Sequence, residues 1–306
     1  MRGGSGSTAA RESSGGPGAG AGHDEHYRQV PAGPLRRYVA WYTGYRQRGV
    51  PPARHRGLPS PCLTLIFTLD EPLTIAAHPD PGQSPGEFGT LLGGLHSTPA
   101  LITHDGAQSG IQVALRPLGA RALLGLPAGE LANLDLPAET VLGGVCAELR
   151  DRIRTAPRWP ERFAITDEIL LRLVRASPGA GIAPEVGWAW RRLLRTGGAL
   201  RVSELAAGTG WSGRYLTSRF RAEIGLTPKA AARVIRFDRT RRLLVRHLTQ
   251  HAASEYRLAD LAADCGYFDQ AHLAREFRAL AGCPPSQWLA EEFRNVQAGN
   301  WLRDES

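Results

Sequence analysis

The sequence has no run of about 18 consecutive apolar residues, the length a helix needs to cross a bilayer, so no membrane partner is expected for these 306 residues. It is also poor in cysteine. Cys62, Cys146, Cys265 and Cys283 are scattered, and no two stand at the C-x-x-C spacing of a zinc site or a thiol redox motif. They read as small buried apolar side chains. His78, His96 and His104 are spread out with no H-x-H pair, and Ser97 and Ser109 lack the G-x-S-x-G setting of a hydrolase nucleophile. Catalytic residues, metal and cofactor are therefore all expected to be absent. Residues 1 to about 25 are dominated by Gly, Ser, Ala and Pro, with few large apolar side chains. Such a stretch cannot offset its ordering entropy and reads as a disordered tail. It also lacks the apolar stretch of a secretory signal, which points to a cytoplasmic protein.

What is present is basic and unevenly distributed. The formal charge is +8; residues 186–306 hold 19 Arg and Lys against 12 Asp and Glu, leaving 18 against 17 for residues 1–185. A basic C-terminal piece joined to a near-neutral one points to a polyanionic partner. The hydrophobic fraction of 42% is enough for ordinary cores, and the length suggests two domains.

Short apolar, β-branched segments separated by Gly and Pro fill residues 26 to about 125. They are Cys62–Leu69, Leu73–Ala77, Gly89–Leu95, Ala100–His104 and Ile111–Leu115, and they suggest a small β-barrel or sandwich. Apolar residues then change to helical spacing over Leu142–Arg154 and Glu161–Arg175. Those two helices could pack on their own β-structure or pair with a second copy. The expected fold is thus an α+β domain over 26–180, an all-α domain over 185–290 and a short tail over 291–306.

The all-α part contains a degenerate repeat. Leu205, Ala206, Ala207, Gly210 and Trp211 match Leu261, Ala262, Ala263, Gly266 and Tyr267 at an offset of 56, while Leu216, Phe220, Gly225 and Pro228 match Leu273, Phe277, Gly282 and Pro285 at 57. Each copy has a short small-residue helix, a glycine that can end it in a left-handed conformation and an N-cap at Ser212 or Asp269. A second helix follows, with one buried face set by residues four apart. Two helices joined this way form a helix-turn-helix. Between the copies, Pro228–Leu244 reads as one long helix holding the units apart.

The second copy, Asp260–Trp288, closely resembles the signature of the AraC/XylS family of bacterial regulators. The likeness covers about residues 185 to 290. Leu35–Val39, Gly93–His96 and Val113–Gly125 are more weakly similar to a sensor-like domain found in some members. The resemblance implies a sequence-specific transcription regulator whose two recognition helices enter successive major grooves. It implies double-stranded DNA as partner, and RNA polymerase where the regulator activates. It also implies a small-molecule effector or a second copy bound through the N-terminal domain. Arg214, Thr217 and Ser218 fall at base-reading positions, and Ala271, His272 and Arg275 at the matching positions of the second unit. The second helix is expected to carry at least half of the specificity. Arg275 is the leading reader, since a guanidinium can bond O6 and N7 of guanine together. Ser212, Arg219, Arg221, Lys229, Arg233, Gln270, Arg278 and Gln287 are candidates for the DNA backbone. In the N-terminal domain Trp41, Tyr42, Phe67 and His96, with Tyr45 and Phe88 near them in sequence, are candidates for an effector pocket. The rival reading is a β-barrel enzyme, such as a DNA alkylation-repair protein, with an appended DNA-binding module.

Overall fold

The computed structural model describes residues 23–177, 181–250 and 258–297. Its strands are β1 (His23–Gln29), β2 (Val39–Arg48), β3 (Ala53–Gly57), β4 (Leu63–Thr68), β5 (Leu73–Ala77), β6 (Gly86–Phe88), β7 (Thr90–Gly93), β8 (Ala100–His104), β9 (Ala107–Leu115) and β10 (Asp135–Leu136). The helices are α1 (Ala120–Leu124), α2 (Glu139–Leu142), α3 (Val145–Thr155), α4 (Trp159–Ala176), α5 (Pro184–Arg195), α6 (Val202–Thr209), α7 (Gly213–Ile224), α8 (Pro228–Gln250), α9 (Leu258–Asp264), α10 (Gln270–Ala281) and α11 (Pro285–Gln297).

The strands form two antiparallel sheets, β1-β2-β9-β4-β7-β10 and β3-β8-β5-β6, and neither closes on itself. Of the two β architectures expected, the open one is present. Side-chain alternation along β4 accounts for the layering. Leu63, Leu65 and Phe67 face the main core, whereas Ile66 joins Leu91, Leu73 and Ile75 in a small cluster between the sheets. The outer layer of the main core comes from α3 and α4, through Cys146, Leu149, Ile153, Phe163, Ile169 and Leu170. Their apolar faces thus rest on their own sheet. Their outer edges are laced by ion pairs, Arg152 to Glu168 at 2.7 Å and Arg172 to Glu148. Gly44 on β2 is required here, since a Cβ would stand 2.4 Å from the Trp159 ring. Trp159 also donates its indole N–H to Glu25 at 2.7 Å, which fixes β1 against α4.

Two expected boundaries shift. The tail expected over 1 to 25 lies outside the described residues as far as 22. Its last three residues, His23 to Glu25, are strand, because β2 is long enough to pair with them, His23 opposite Arg48. The tail expected from 291 is helical to Gln297, α11 being started by Pro285 and held by buried Trp288; residues 298–306 lie outside the described residues. The helix expected over Leu142–Arg154 is broken by Gly143, whose φ of 57° ends α2.

Candidate nucleic-acid interface

The repeat folds into two helix-turn-helix units. In the first, α6 ends at Gly210 (φ 71°) and α7 begins after Ser212; in the second, α9 ends at Gly266 (φ 74°) and α10 begins after Asp269. The caps form as their residue types require. Ser212 Oγ accepts the Tyr215 N–H at 3.3 Å, and Asp269 Oδ1 accepts the His272 N–H at 2.6 Å. Leu216 and Phe220 are fully buried, as is Phe277, with Leu273 at 1% exposure. Each second helix therefore has one inward stripe and one free face.

That free face holds most of the residues expected to touch DNA. Arg214, Ser218 and Arg221 are exposed on α7, and Gln270, Ala271, Arg275 and Arg278 on α10. Ser212, Arg219, Lys229 and Gln287 are exposed beside them. Five candidates are partly engaged by the protein itself, Ser212 and His272 as acceptors of the Tyr215 and Phe268 backbone N–H groups. Thr217 donates its hydroxyl to the Gly213 carbonyl at 2.7 Å, leaving its methyl and oxygen lone pairs. Gln287 donates to Glu291 at 2.9 Å. Arg233 donates from Nε to Glu276 at 2.8 Å, and Arg236 reaches the other oxygen of that buried carboxylate at 3.2 Å. This pair of ion bonds fastens α10 to α8.

The caps also correct one correspondence between the units. Counting from Ser212 and Asp269, Arg214 matches Ala271 and Ser218 matches Arg275, but His272 matches Tyr215 and not Thr217, whose counterpart is Ala274. His272 thus stands two residues before the counterpart of Thr217, and two residues turn a helix by about 200°.

In the N-terminal domain the pocket candidates Trp41, Tyr42, Phe67 and His96 do not converge. Tyr42 is fully buried, donates its hydroxyl to Asp167 at 2.8 Å and stacks on Phe163. Phe67 is buried in the same core at 1% exposure. Trp41 lies on the opposite face of β2 under the Arg28 guanidinium. His96 lies in the loop after β7, with its Nδ1 against the Thr98 carbonyl. None of them lines the groove of about 310 Å³ between Tyr38, Leu118, Arg121, Ser177, Ile182 and Arg191, nor the hollow of about 450 Å³ on α3 and α4. Among the described residues no group of three His, Cys, Asp or Glu side chains could hold a metal ion, and no helix is long and apolar enough to cross a membrane.

Sequence reasoning passed over several residues that organise this region. Arg121 pairs with Glu223 of α7, Glu276 joins α10 to α8, and His78 meets Asp135 in a buried pair at 2.8 Å. These partners lie far apart in sequence, so no local pattern marks them. Phe268 is different. It stands 92% exposed just before α10, in a position readable from the repeat as the inserted residue of the second turn.

A family described as a helix-turn-helix domain matches residues 205–291, and a domain family of unknown function matches residues 27–137. No curated protein matches the chain. Among solved structures, ToxT of Vibrio cholerae is similar at 11% identity over 89% of this chain and 98% of its own, with a TM-score of 0.46. The C-terminal domain of AraT, a response regulator of Geobacillus stearothermophilus, is similar at 20% identity over 41% of this chain and 95% of its own, with a TM-score of 0.32. The AraC-like transcriptional activator CuxR is similar at 16% identity over 74% of this chain and 88% of its own, with a TM-score of 0.30. With its two capped units and the family match across both, the C-terminal part of the chain is a helix-turn-helix domain of the AraC type.

Proposed function

We propose that the chain is a sequence-specific transcription regulator that reads two successive major grooves with α7 and α10. The observation that carries this reading is the exposed face of each capped helix. Arg214, Ser218 and Arg221 on one, and Ala271, Arg275 and Arg278 on the other, stand free while the opposite stripe is sealed in the core. Thr217 and His272, at the edges of those faces, join Arg214, Ser218, Ala271 and Arg275 in reading bases. Ser212, Arg219, Arg221, Lys229, Gln270, Arg278 and Gln287 hold phosphates, which orient the protein without reading sequence. The free amine groups of Arg233 extend that set. The domain over 26–180 modulates binding, through an effector or a second copy.

The test is selection of bound sequences from random duplex DNA with the full chain and with residues 180–306 side by side. An enriched motif with two half-elements about one helical turn, roughly 34 Å, apart supports two reading helices. Binding that is salt-sensitive but indifferent to sequence would overturn the reading.

A further inference from the structure

The two reading helices share a device that the correspondence of their caps exposes. The third helical residue carries a ring in both units, Tyr215 in α7 and His272 in α10. Each ring stands edge-on against the aromatic residue that closes its turn. Tyr215 meets Trp211 at 4.8 Å and 70°, and His272 meets Tyr267 at 5.3 Å and 89°. Trp211 and Tyr267 are themselves equivalent in the repeat. Edge-to-face pairs of this kind hold a ring in one orientation, so both rings are aimed and not free to sweep.

What each ring presents is a hydrogen-bond donor. The His272 Nδ1 accepts the Phe268 N–H at 3.3 Å; in the neutral ring this leaves the proton on Nε2. The Tyr215 ring is 52% exposed, and its hydroxyl has no partner among the described residues. Tyr215 lies on the flank of α7, between the outward Arg214 and Ser218 and the exposed Arg219 one turn further on. A flank, unlike the face opposite the buried stripe, meets the wall of the groove, where the acceptors are phosphate oxygens. Tyrosine hydroxyls are among the groups that bind them.

We propose that Tyr215 donates its hydroxyl hydrogen to a phosphate oxygen of DNA at the first unit, from the position that His272 takes in the second. The proposal rests on the regulator reading above. It adds a DNA contact at a position the motif alone leaves unassigned. It also assigns Trp211 a role in aiming that contact.

The experiment measures affinity of the full chain and of Tyr215→Phe and Tyr215→His for the duplex enriched by selection and for a scrambled duplex of the same length. Tyr215→Phe keeps the ring and its stack and removes only the oxygen. It is expected to weaken binding about 3- to 10-fold, the effect of one hydrogen bond, by the same factor on both duplexes. A single uncharged methylphosphonate linkage at the contacted position should weaken the unaltered chain and not weaken Tyr215→Phe further. Tyr215→His restores a donor and should recover most of the loss. Equal affinity of Tyr215→Phe and the unaltered chain, or an altered base preference on repeating the selection, would overturn the phosphate contact and leave the regulator reading standing. If the unaltered chain binds no duplex at all, the regulator reading falls and this contact with it.

Discussion

Arg121 and Glu223 are joined by two parallel bonds, Nε to Oε2 at 2.9 Å and Nη2 to Oε1 at 2.8 Å, across the boundary between the β-rich domain and the first reading helix. Beside them Gly129 lies so close to α7 that a Cβ would stand 2.1 Å from the Ala222 carbonyl. The bidentate geometry and the burial of Glu223 make this a strong link compared with an exposed pair.

The two partners should not be equivalent on mutation. Glu223 is 8% exposed and Arg121 27%. Arg121→Ala strands a buried carboxylate and is expected to cost about 2–4 kcal/mol. Glu223→Gln leaves a guanidinium that water can reach and should cost less, about 1–2 kcal/mol. Urea denaturation of the full chain gives both numbers, and a reversed order would contradict the assignment of burial.

Gly129→Ala should separate the domains without unfolding either. The methyl cannot fit against the Ala222 carbonyl, so the 3-10 turn Ala128–Leu131 must lift from α7. Faster proteolysis between residues 177 and 184 with an unchanged far-ultraviolet spectrum is the expected result. Cleavage at the rate of the unaltered chain would count against it.

Arg275→Ala should weaken binding to the selected duplex by about 10- to 100-fold and relax preference at one base pair, as loss of a bidentate guanine contact does. Competition binding against all four bases at that position decides it. An equal loss on every sequence would make Arg275 a phosphate contact.

Stability should fall in mild acid through His55. Burial and the neighbouring His104 pull its pKa down to about 4, while in the unfolded chain it titrates near 6.5. The unfolded state therefore binds the proton first. The contribution is complete above about pH 6.5 and is lost as the pH falls from there towards 4. A loss on the order of 1–3 kcal/mol between pH 7 and pH 5, reduced in His55→Gln, is the expected result in denaturation experiments at the two pH values.

The sequence is most legible where structure is local. The glycines that end α6, α7, α9 and α10, the caps at Ser212 and Asp269 and the stripe Leu216–Phe220 all act within a few residues of themselves, and all form as read. Leu73–Ala77 and Ala100–His104 match their strands end to end, being short apolar runs bounded by turns. β1, β2 and β3 were less legible. His23–Gln29 is polar and becomes a strand only because β2 supplies partners. The pocket candidates failed to converge for a similar reason: Trp41 and Tyr42 are neighbours in sequence, yet alternation sends them to opposite faces of one strand.

The second unit is also touched from the N-terminal side. Arg56 of β3 pairs with Glu291 of α11, and Pro99 lies 3.4 Å from where a Cβ on Gly282 would be. With Arg121 holding α7 and Glu276 holding α10 to α8, the chain closes into a loop in which the β-rich domain braces both units. Removing that domain should then do more than delete a sensor. The isolated units, joined by α8 alone, should tolerate operators whose half-elements are set closer or farther apart, while the intact protein accepts a narrower range.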